Sequence, residues 1–131
     1  MSEDKSYYSI GKVSALCNVP IKTLRYYDTI GLLVPDYRKD ESNYRYYTQD
    51  QLLTLFIIRK LKLLGIPLKE IKEVVCGRDT VAMGKYIQER LGEIRRSIEE
   101  LNNQYAEGEL LLDRLSRGHN ILETEHTSWS T

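Results

Sequence analysis

A seam of apolar residues, spaced alternately four and three residues apart, constrains the fold more than any other feature of the chain. The seam consists of Ile87, Leu91, Ile94, Ile98, Leu101, Tyr105, Gly108, Leu112 and Leu115. No proline interrupts residues 80–117, so the pattern predicts one helix about 55 Å long. Such a narrow stripe is typical of a coiled coil. Because the chain offers no second helix of similar length, the seam predicts a homodimer.

Two short helices joined by a tight turn are predicted near the N-terminus. Ser9 is a suitable N-cap for a first helix over 9–17, and Pro20 suits the first turn of a second helix over about 20–30, which Gly31 closes. The predicted inward face of the first helix carries Ile10, Val13, Leu16 and Cys17. That of the second carries Ile21, Leu24, Tyr27 and Ile30. Together they predict a helix-turn-helix, whose second helix enters the DNA major groove.

The outer face of the second helix is predicted to meet DNA, and a β-hairpin is predicted to assist it as a wing. On the helix, this face carries Lys22, Thr23, Arg25 and Tyr26. The wing consists of two short aromatic segments, 34–37 and 44–47, around a polar turn over 38–43. Arg38 and Lys39 lie at its tip, and Tyr44 and Arg45 lie on its return strand. Cations interleaved with tyrosines suit contact with the phosphate backbone. The alternative is that Arg25 and Arg45 only form surface ion pairs with Asp28 or Asp36.

Two further helices complete the predicted head. Thr48 and Gln51 form a capping box for the third helix, which Gly65 ends. Its apolar residues are predicted to form the core of the head: Leu52, Leu55, Phe56, Ile58, Leu61, Leu63 and Leu64. Pro67 opens the fourth helix, and Gly77 ends it. The buried face of this helix is predicted to carry Leu68, Ile71, Val74 and Val75.

The predicted fold is mainly α, with a winged helix-turn-helix head over 1–78, a dimerisation helix over 79–118 and a disordered polar tail over 119–131. Net charge is zero, but residues 1–72 carry twelve Lys/Arg against eight Asp/Glu. The remaining residues carry seven against eleven. This asymmetry indicates that only the head meets a polyanion.

Several classes of protein are disfavoured by what the sequence lacks. No apolar run approaches the roughly 18 residues of a membrane span, and the acidic N-terminus is not followed by the apolar stretch of a signal peptide. Two cysteines make no disulfide framework, so we expect a cytoplasmic protein. Neither a Gly-rich phosphate loop nor a nucleophile elbow is found, so we expect neither an enzyme nor a cofactor.

Two alternative functions remain open. A coiled-coil dimer could serve as a protein-interaction module, which steep salt dependence of DNA binding would argue against. A metal-responsive regulator could use Cys76, with only His119 and His126 as soft ligands downstream. We expect Cys76 instead to be a small buried side chain at a helix end, and Cys17 to belong to the core.

Five motifs together resemble the MerR family of bacterial transcription regulators over residues 7–117, and its drug-sensing branch most strongly. They are Tyr8-Ser9-Ile10-Gly11-Lys12-Val13, Leu24-Arg25-Tyr26-Tyr27-Asp28, Gly31-Leu32-Leu33, Tyr44-Arg45-Tyr46-Tyr47 and Leu63-Leu64-Gly65. The chain departs from the family at Pro20, where Ser or Thr is usual. Drug-sensing members also carry a ligand-binding domain after the coiled coil, so we expect either a fragment or a regulator whose sensor lies elsewhere.

The resemblance implies a homodimer joined by an antiparallel coiled coil along the seam. It implies a pseudo-palindromic site in a promoter whose two polymerase-binding elements are too far apart. The activated dimer bends and untwists this DNA so that RNA polymerase engages both elements. Carried over by position, the implied DNA contacts are Lys22, Thr23, Arg25, Tyr26, Tyr27, Arg38, Lys39, Tyr44 and Arg45.

Overall fold

The computed structural model describes residues 6–39 and 44–118. Its elements are β1 (Tyr7–Ser9), α1 (Ile10–Cys17), α2 (Ile21–Thr29), β2 (Tyr37–Lys39), β3 (Tyr44–Thr48), α3 (Gln49–Leu63), α4 (Leu68–Cys76) and α5 (Thr80–Ser116). The predicted, mainly helical fold with a hairpin and a long C-terminal helix is confirmed, whereas β1 was not predicted. The predicted bounds of the first wing segment are wrong, because the strand begins at Tyr37 and includes Arg38 and Lys39, which were predicted to lie in the turn. The predicted tail and the centre of the wing turn lie outside the described residues. None of the described helices combines the length and apolar character of a membrane span.

The N-terminus of α1 and both ends of α2 form at the residues that the sequence predicts. The Ser9 hydroxyl caps α1 by accepting a hydrogen bond from the Lys12 amide at 3.2 Å. Pro20 occupies the N-cap of α2 without a side-chain bond, and its carbonyl accepts from the Leu24 amide at 3.1 Å. Gly31 follows α2 at φ +75°, a conformation that glycine adopts without steric cost.

The three strands form one antiparallel sheet in the order β1-β3-β2. Arg38 pairs with Arg45, and Tyr8 pairs with Tyr47. Because successive side chains alternate between faces, these four residues share the inner face of the sheet, and Tyr47 is buried in the core. On the outer face, three tyrosine rings stand in a row with centroids 5.5 and 5.7 Å apart: Tyr7, Tyr37 and Tyr46.

One hydrophobic core joins α1, α2, α3, α4 and the sheet. α3 contributes Leu55, Ile58 and Leu61, which lie three residues apart on one stripe. The prediction that its other apolar residues fill the core is wrong for Phe56 and for Leu63, which is 79% exposed, because neighbouring elements cover only one face of α3. On α1, the predicted core residue Leu16 is 60% exposed. It lies beside the buried stripe of Ile10 and Val13.

The junctions around α3, α4 and α5 are fixed by specific bonds. The capping box at Thr48 and Gln51 is confirmed, with both reciprocal bonds at 3.2 Å. α4 ends at its predicted position, but the left-handed residue there is Arg78 at φ +51°, not Gly77. The predicted buried face of α4 is confirmed for Ile71 and Val74.

The chain divides into two compact units between Arg90 and Leu91. About three turns of α5 therefore belong to the first unit. The bonds that attach them there include one from the Tyr86 hydroxyl to Glu73 at 2.6 Å and one from Arg90 Nε to the carbonyl oxygen of Leu64. The boundary after residue 78, between the DNA-binding head and the dimerisation helix, concerns function and therefore stays a prediction.

Candidate nucleic-acid interface

α2 presents a basic and aromatic face to solvent. Lys22, Arg25 and Tyr26 are exposed, and Thr23 is half-buried. Positions 22, 25 and 26 fall on one side of a helix because they are three and four residues apart. The face thus combines two cations and a phenol, the groups that donate hydrogen bonds to phosphates and base edges.

The opposite face of α2 anchors it in the head. Leu24, Tyr27 and Asp28 are buried, whereas Ile21, predicted to face inward, is exposed. Tyr27 was also predicted to contact DNA at the edge of the helix. Its side chain is only 2% exposed and packs in the core, so it has no surface left for such a contact, and we leave it out of the candidate interface.

Asp28 connects α2 to both strands of the wing. Its Oδ1 accepts from Arg38 Nη2 at 2.5 Å, and its Oδ2 accepts from Arg45 Nε at 2.7 Å. The carboxylate side chain is 5% exposed, against 17% for Arg45 and 42% for Arg38. Buried charges are tolerated when they are paired and hydrogen-bonded in this way. The sequence offered Asp28 or Asp36 as a surface ion-pair partner of Arg25 or Arg45. The structure forms the pair between Asp28 and Arg45, but it buries the carboxylate and adds Arg38 as a second partner.

The wing residues predicted to contact phosphate therefore divide between the two faces of the sheet. Arg38 and Arg45 lie on the inner face and bind Asp28. Lys39 and Tyr44 form the next register pair and are exposed. The two groups are not equivalent, because only the second pair lies on the face turned away from the core.

Beside this cluster, the Tyr47 hydroxyl is buried without a hydrogen-bond partner among the described residues. Burial, and to a smaller extent the negative charge of Asp28, raise the pKa of Tyr47 to about 12, although Arg45 and Arg38 act in the opposite direction. The hydroxyl is therefore neutral at physiological pH. It does not contribute charge to the interface.

The cysteines occupy different surroundings from those predicted. Cys76 is exposed rather than buried, and its Sγ lies 3.4 Å from the carbonyl oxygen of Gly31. Cys17 is half-buried against the core, and burial raises the pKa of its thiol. Within residues 6–39 and 44–118, no three His, Cys, Asp or Glu side chains cluster as metal ligands do. His119 and His126 lie outside the described residues.

The predicted seam on α5 is largely uncovered in the single chain. Ile87 and Ile94 are half-buried, and Ile87 packs against the core of the first unit. The remaining apolar seam residues are more than half exposed: Leu91, Ile98, Leu101, Tyr105, Leu112 and Leu115. Leu110 and Leu111 are also exposed and lie off the seam. From Leu91 onward, the helix thus carries an apolar stripe that the described residues of the second unit leave largely exposed.

A helix-turn-helix flanked by a small antiparallel sheet, with a basic face on its second helix, defines the class of winged helix-turn-helix proteins. Residues 8–76 match the family described as MerR HTH family regulatory protein, and the chain belongs to this family. The MerR-family motifs found in the sequence are thereby confirmed. Proteins of the family are DNA-binding transcription regulators.

Two regulators of Bacillus subtilis (strain 168) are similar in sequence. The multidrug-efflux transporter 1 regulator is 55% identical over 69 residues, which are 53% of this chain and 25% of that protein. The multidrug-efflux transporter 2 regulator is 38% identical over 131 residues, which are 99% of this chain and 46% of that protein. The chain therefore spans about half or less of the length of these relatives.

A solved structure extends the similarity to the fold. The cryo-EM structure of the EcmrR–DNA complex in EcmrR-RPo matches with a TM-score of 0.67 and 33% sequence identity. The match covers 88% of this chain and 42% of that one. A relative with this fold therefore binds DNA.

Proposed function

We propose that the chain acts as a homodimer, which binds a pseudo-palindromic promoter site and controls transcription by bending and untwisting the DNA. The exposed face of α2, with Lys22, Arg25 and Tyr26, is the observation that carries this proposal. A dimer of helix-turn-helix heads matches a two-fold DNA site, because each head reads one half-site in the major groove. No catalytic activity or cofactor forms part of the proposal.

The dimer is proposed to form along the seam of α5. Fully burying an exposed Leu or Ile contributes about 1.5–3 kcal/mol. A coiled coil gains part of this free energy at each exposed seam position on both helices, because these side chains are already partly covered in the single chain. The antiparallel direction follows from the family resemblance. The proposed interface consists of Ile87, Leu91, Ile94, Ile98, Leu101, Tyr105, Leu112 and Leu115.

Within each head, we assign Lys22, Arg25 and Tyr26 to base edges and phosphates, with Thr23 beside them. Lys39 and Tyr44 are assigned to the phosphate backbone, because they lie on the exposed face of the wing. Arg38 and Arg45 can add phosphate contacts only through donors that Asp28 does not occupy. A guanidinium has five N–H donors in all. Asp28 binds one nitrogen of each arginine, so the remaining donors are available to phosphates.

Control by deformation requires that the protein contacts outweigh the cost of bending the DNA. Bending a site of 20–30 base pairs costs on the order of 1–6 kcal/mol, which is comparable to a few good base contacts. RNA polymerase is the proposed indirect partner at the promoter, as suggested by the EcmrR complex. Because the site of action is chromosomal DNA, we place the protein in the cytoplasm.

The first test is the substitution Arg25→Ala, with Lys85→Ala on α5 as a matched loss of one exposed cation. A binding site is first selected from a random duplex pool, and affinities are then measured at two salt concentrations. We expect Arg25→Ala to weaken binding at least about tenfold, because each protomer loses a contact worth about 1–3 kcal/mol. Lys85→Ala should bind normally, and both variants should remain dimers.

Three results would contradict the proposal. One is an unchanged affinity of Arg25→Ala, which would remove the assigned face of α2. The others are failure of the pool to yield a two-fold-symmetric sequence, and binding that is indifferent to salt. Either of the latter would favour the protein-interaction module, because phosphate contacts release counterions and make binding salt-dependent.

A further inference from the structure

We propose that Asp28 determines the specificity of DNA binding, as a positioning residue that holds both wing arginines in fixed directions. This inference rests on the proposed function. Asp28 lies in the last turn of α2 and binds one arginine from each wing strand. Among the described residues, Asp28 is the side chain that joins α2 to both strands of the wing through charge-assisted hydrogen bonds.

The pairing of the strands makes this carboxylate necessary. Arg38 and Arg45 are direct partners in the register of β2 and β3, and like charges placed opposite each other in a sheet are destabilising. One carboxylate between them, with each oxygen bound to a different guanidinium, offsets the repulsion of both. Since Asp28 is 5% exposed, water screens these attractions less than it would at the surface.

Asp28 has two consequences for DNA binding, and they oppose each other. It orients the two guanidiniums, so that their remaining donors meet phosphates only when the backbone follows the shape that the head requires. It also neutralises part of their charge, which lowers the attraction to any phosphate whatever the sequence. Removing the carboxylate should therefore weaken binding to the selected site and strengthen binding to unrelated DNA.

A purely structural role predicts something different. If Asp28 only stabilised the head, its loss would lower the folded fraction and weaken binding to every DNA in the same proportion. The ratio of the two affinities would then stay constant. The sign of the change on unrelated DNA separates the two roles.

The experiment uses the full chain with Asp28→Asn, which removes the charge but nearly keeps the shape. Affinities are measured for the selected duplex and for a scrambled duplex of equal length, across a series of salt concentrations. We expect the ratio of the two affinities to fall at least about tenfold. On the scrambled duplex, the log–log salt slope should steepen by up to about 2 per protomer, because two more cations displace counterions.

A second variant guards against misfolding. Arg45 is the more buried arginine, so Asp28→Asn combined with Arg45→Gln removes the unpaired charge that most endangers the fold. It also restores the net charge of the cluster without restoring the link to the wing. Its affinity for the scrambled duplex should return to that of the wild type, while its affinity for the selected duplex should stay low.

Some outcomes would overturn the inference. An equal loss on both duplexes would reduce Asp28 to a structural residue, and so would an unchanged ratio. Full recovery of specific binding in the double variant would mean that only charge matters, not position. If the wild type itself does not prefer the selected duplex, the proposed function fails, whatever Asp28 does.

Discussion

The buried hydroxyl of Tyr47 gives a prediction about stability at the scale of a single residue. A buried polar group without a partner costs about 1–3 kcal/mol of desolvation, and the Tyr47 hydroxyl has none among the described residues. We expect Tyr47→Phe to raise the free energy of unfolding by about 1 kcal/mol in urea denaturation. Tyr86→Phe is the matched control. It should lower stability, because the Tyr86 hydroxyl donates to Glu73.

The pH dependence of these variants follows from the same hydroxyls. The pKa of Tyr47 is raised from 10.0 to about 12, so the native state holds this proton more tightly than the unfolded chain does. The corresponding stability is complete below pH 10 and is lost as the pH rises towards 12. Tyr47→Phe should therefore lose less stability than the wild type over this interval. An equal loss, or a less stable variant at neutral pH, would contradict the assignment.

The exposed side chains of α2 could be predicted from sequence, but the burial of Asp28 and its link to two wing arginines could not. Helical periodicity alone puts Lys22, Arg25 and Tyr26 on one side, and their exposure confirms that arrangement. The role of Asp28 depends on arginines 10 and 17 residues further along the chain. Periodicity within one helix carries no information about such partners.

At the scale of an element, the backbone at the end of α4 is strained at Arg78, and a substitution there can relieve the strain. Arg78 has φ +51°, a left-handed conformation that costs a residue other than glycine about 1–2 kcal/mol. Glycine adopts it freely but loses more conformational entropy on folding. We expect Arg78→Gly to raise the free energy of unfolding by about 0.5–1 kcal/mol, measured by urea denaturation at fixed protein concentration.

Arg78→Ala separates the backbone from the side chain. It removes the guanidinium but keeps a Cβ in the left-handed conformation, so it should bring no gain. A similar gain from alanine would attribute the effect to the lost charge instead. Gly65→Ala extends the comparison: at φ +89° its Cβ would lie 2.9 Å from the Arg90 guanidinium, so this variant should be less stable.

The helices could be predicted from sequence better than the strands. Capping residues such as Ser9 and Thr48, and a glycine such as Gly31, mark helix ends by local chemistry. β1 has only three residues and exists through its pairing with β3, about forty residues away. α3 is apolar on several sides, so composition could not tell which stripe faces the core.

At the scale of the whole molecule, the exposed apolar seam of α5 is the feature that supports the proposed dimer interface. The exposed leucines and isoleucines of α5 are spaced for a partner helix, and no residue of α5 is buried in the isolated chain. The seam could be predicted because it repeats within one continuous helix. Leu110 and Leu111, which are exposed and lie off the seam, could not be assigned to an interface by spacing alone.

The dimer is tested by placing a charge within the seam. Ile98→Asp puts one carboxylate on each helix of the proposed coiled coil, and burying an unpaired charge costs several kcal/mol. Asn103→Asp adds the same charge to α5, five residues further on and off the seam. In sedimentation velocity, Ile98→Asp should be a monomer that retains its helical signal, whereas Asn103→Asp should remain a dimer. On a duplex carrying two half-sites, only Ile98→Asp should lose the affinity that two linked heads provide. A dimer that survives Ile98→Asp would place the interface elsewhere, and dissociation of both variants would mean that net charge on α5, not the seam, controls assembly.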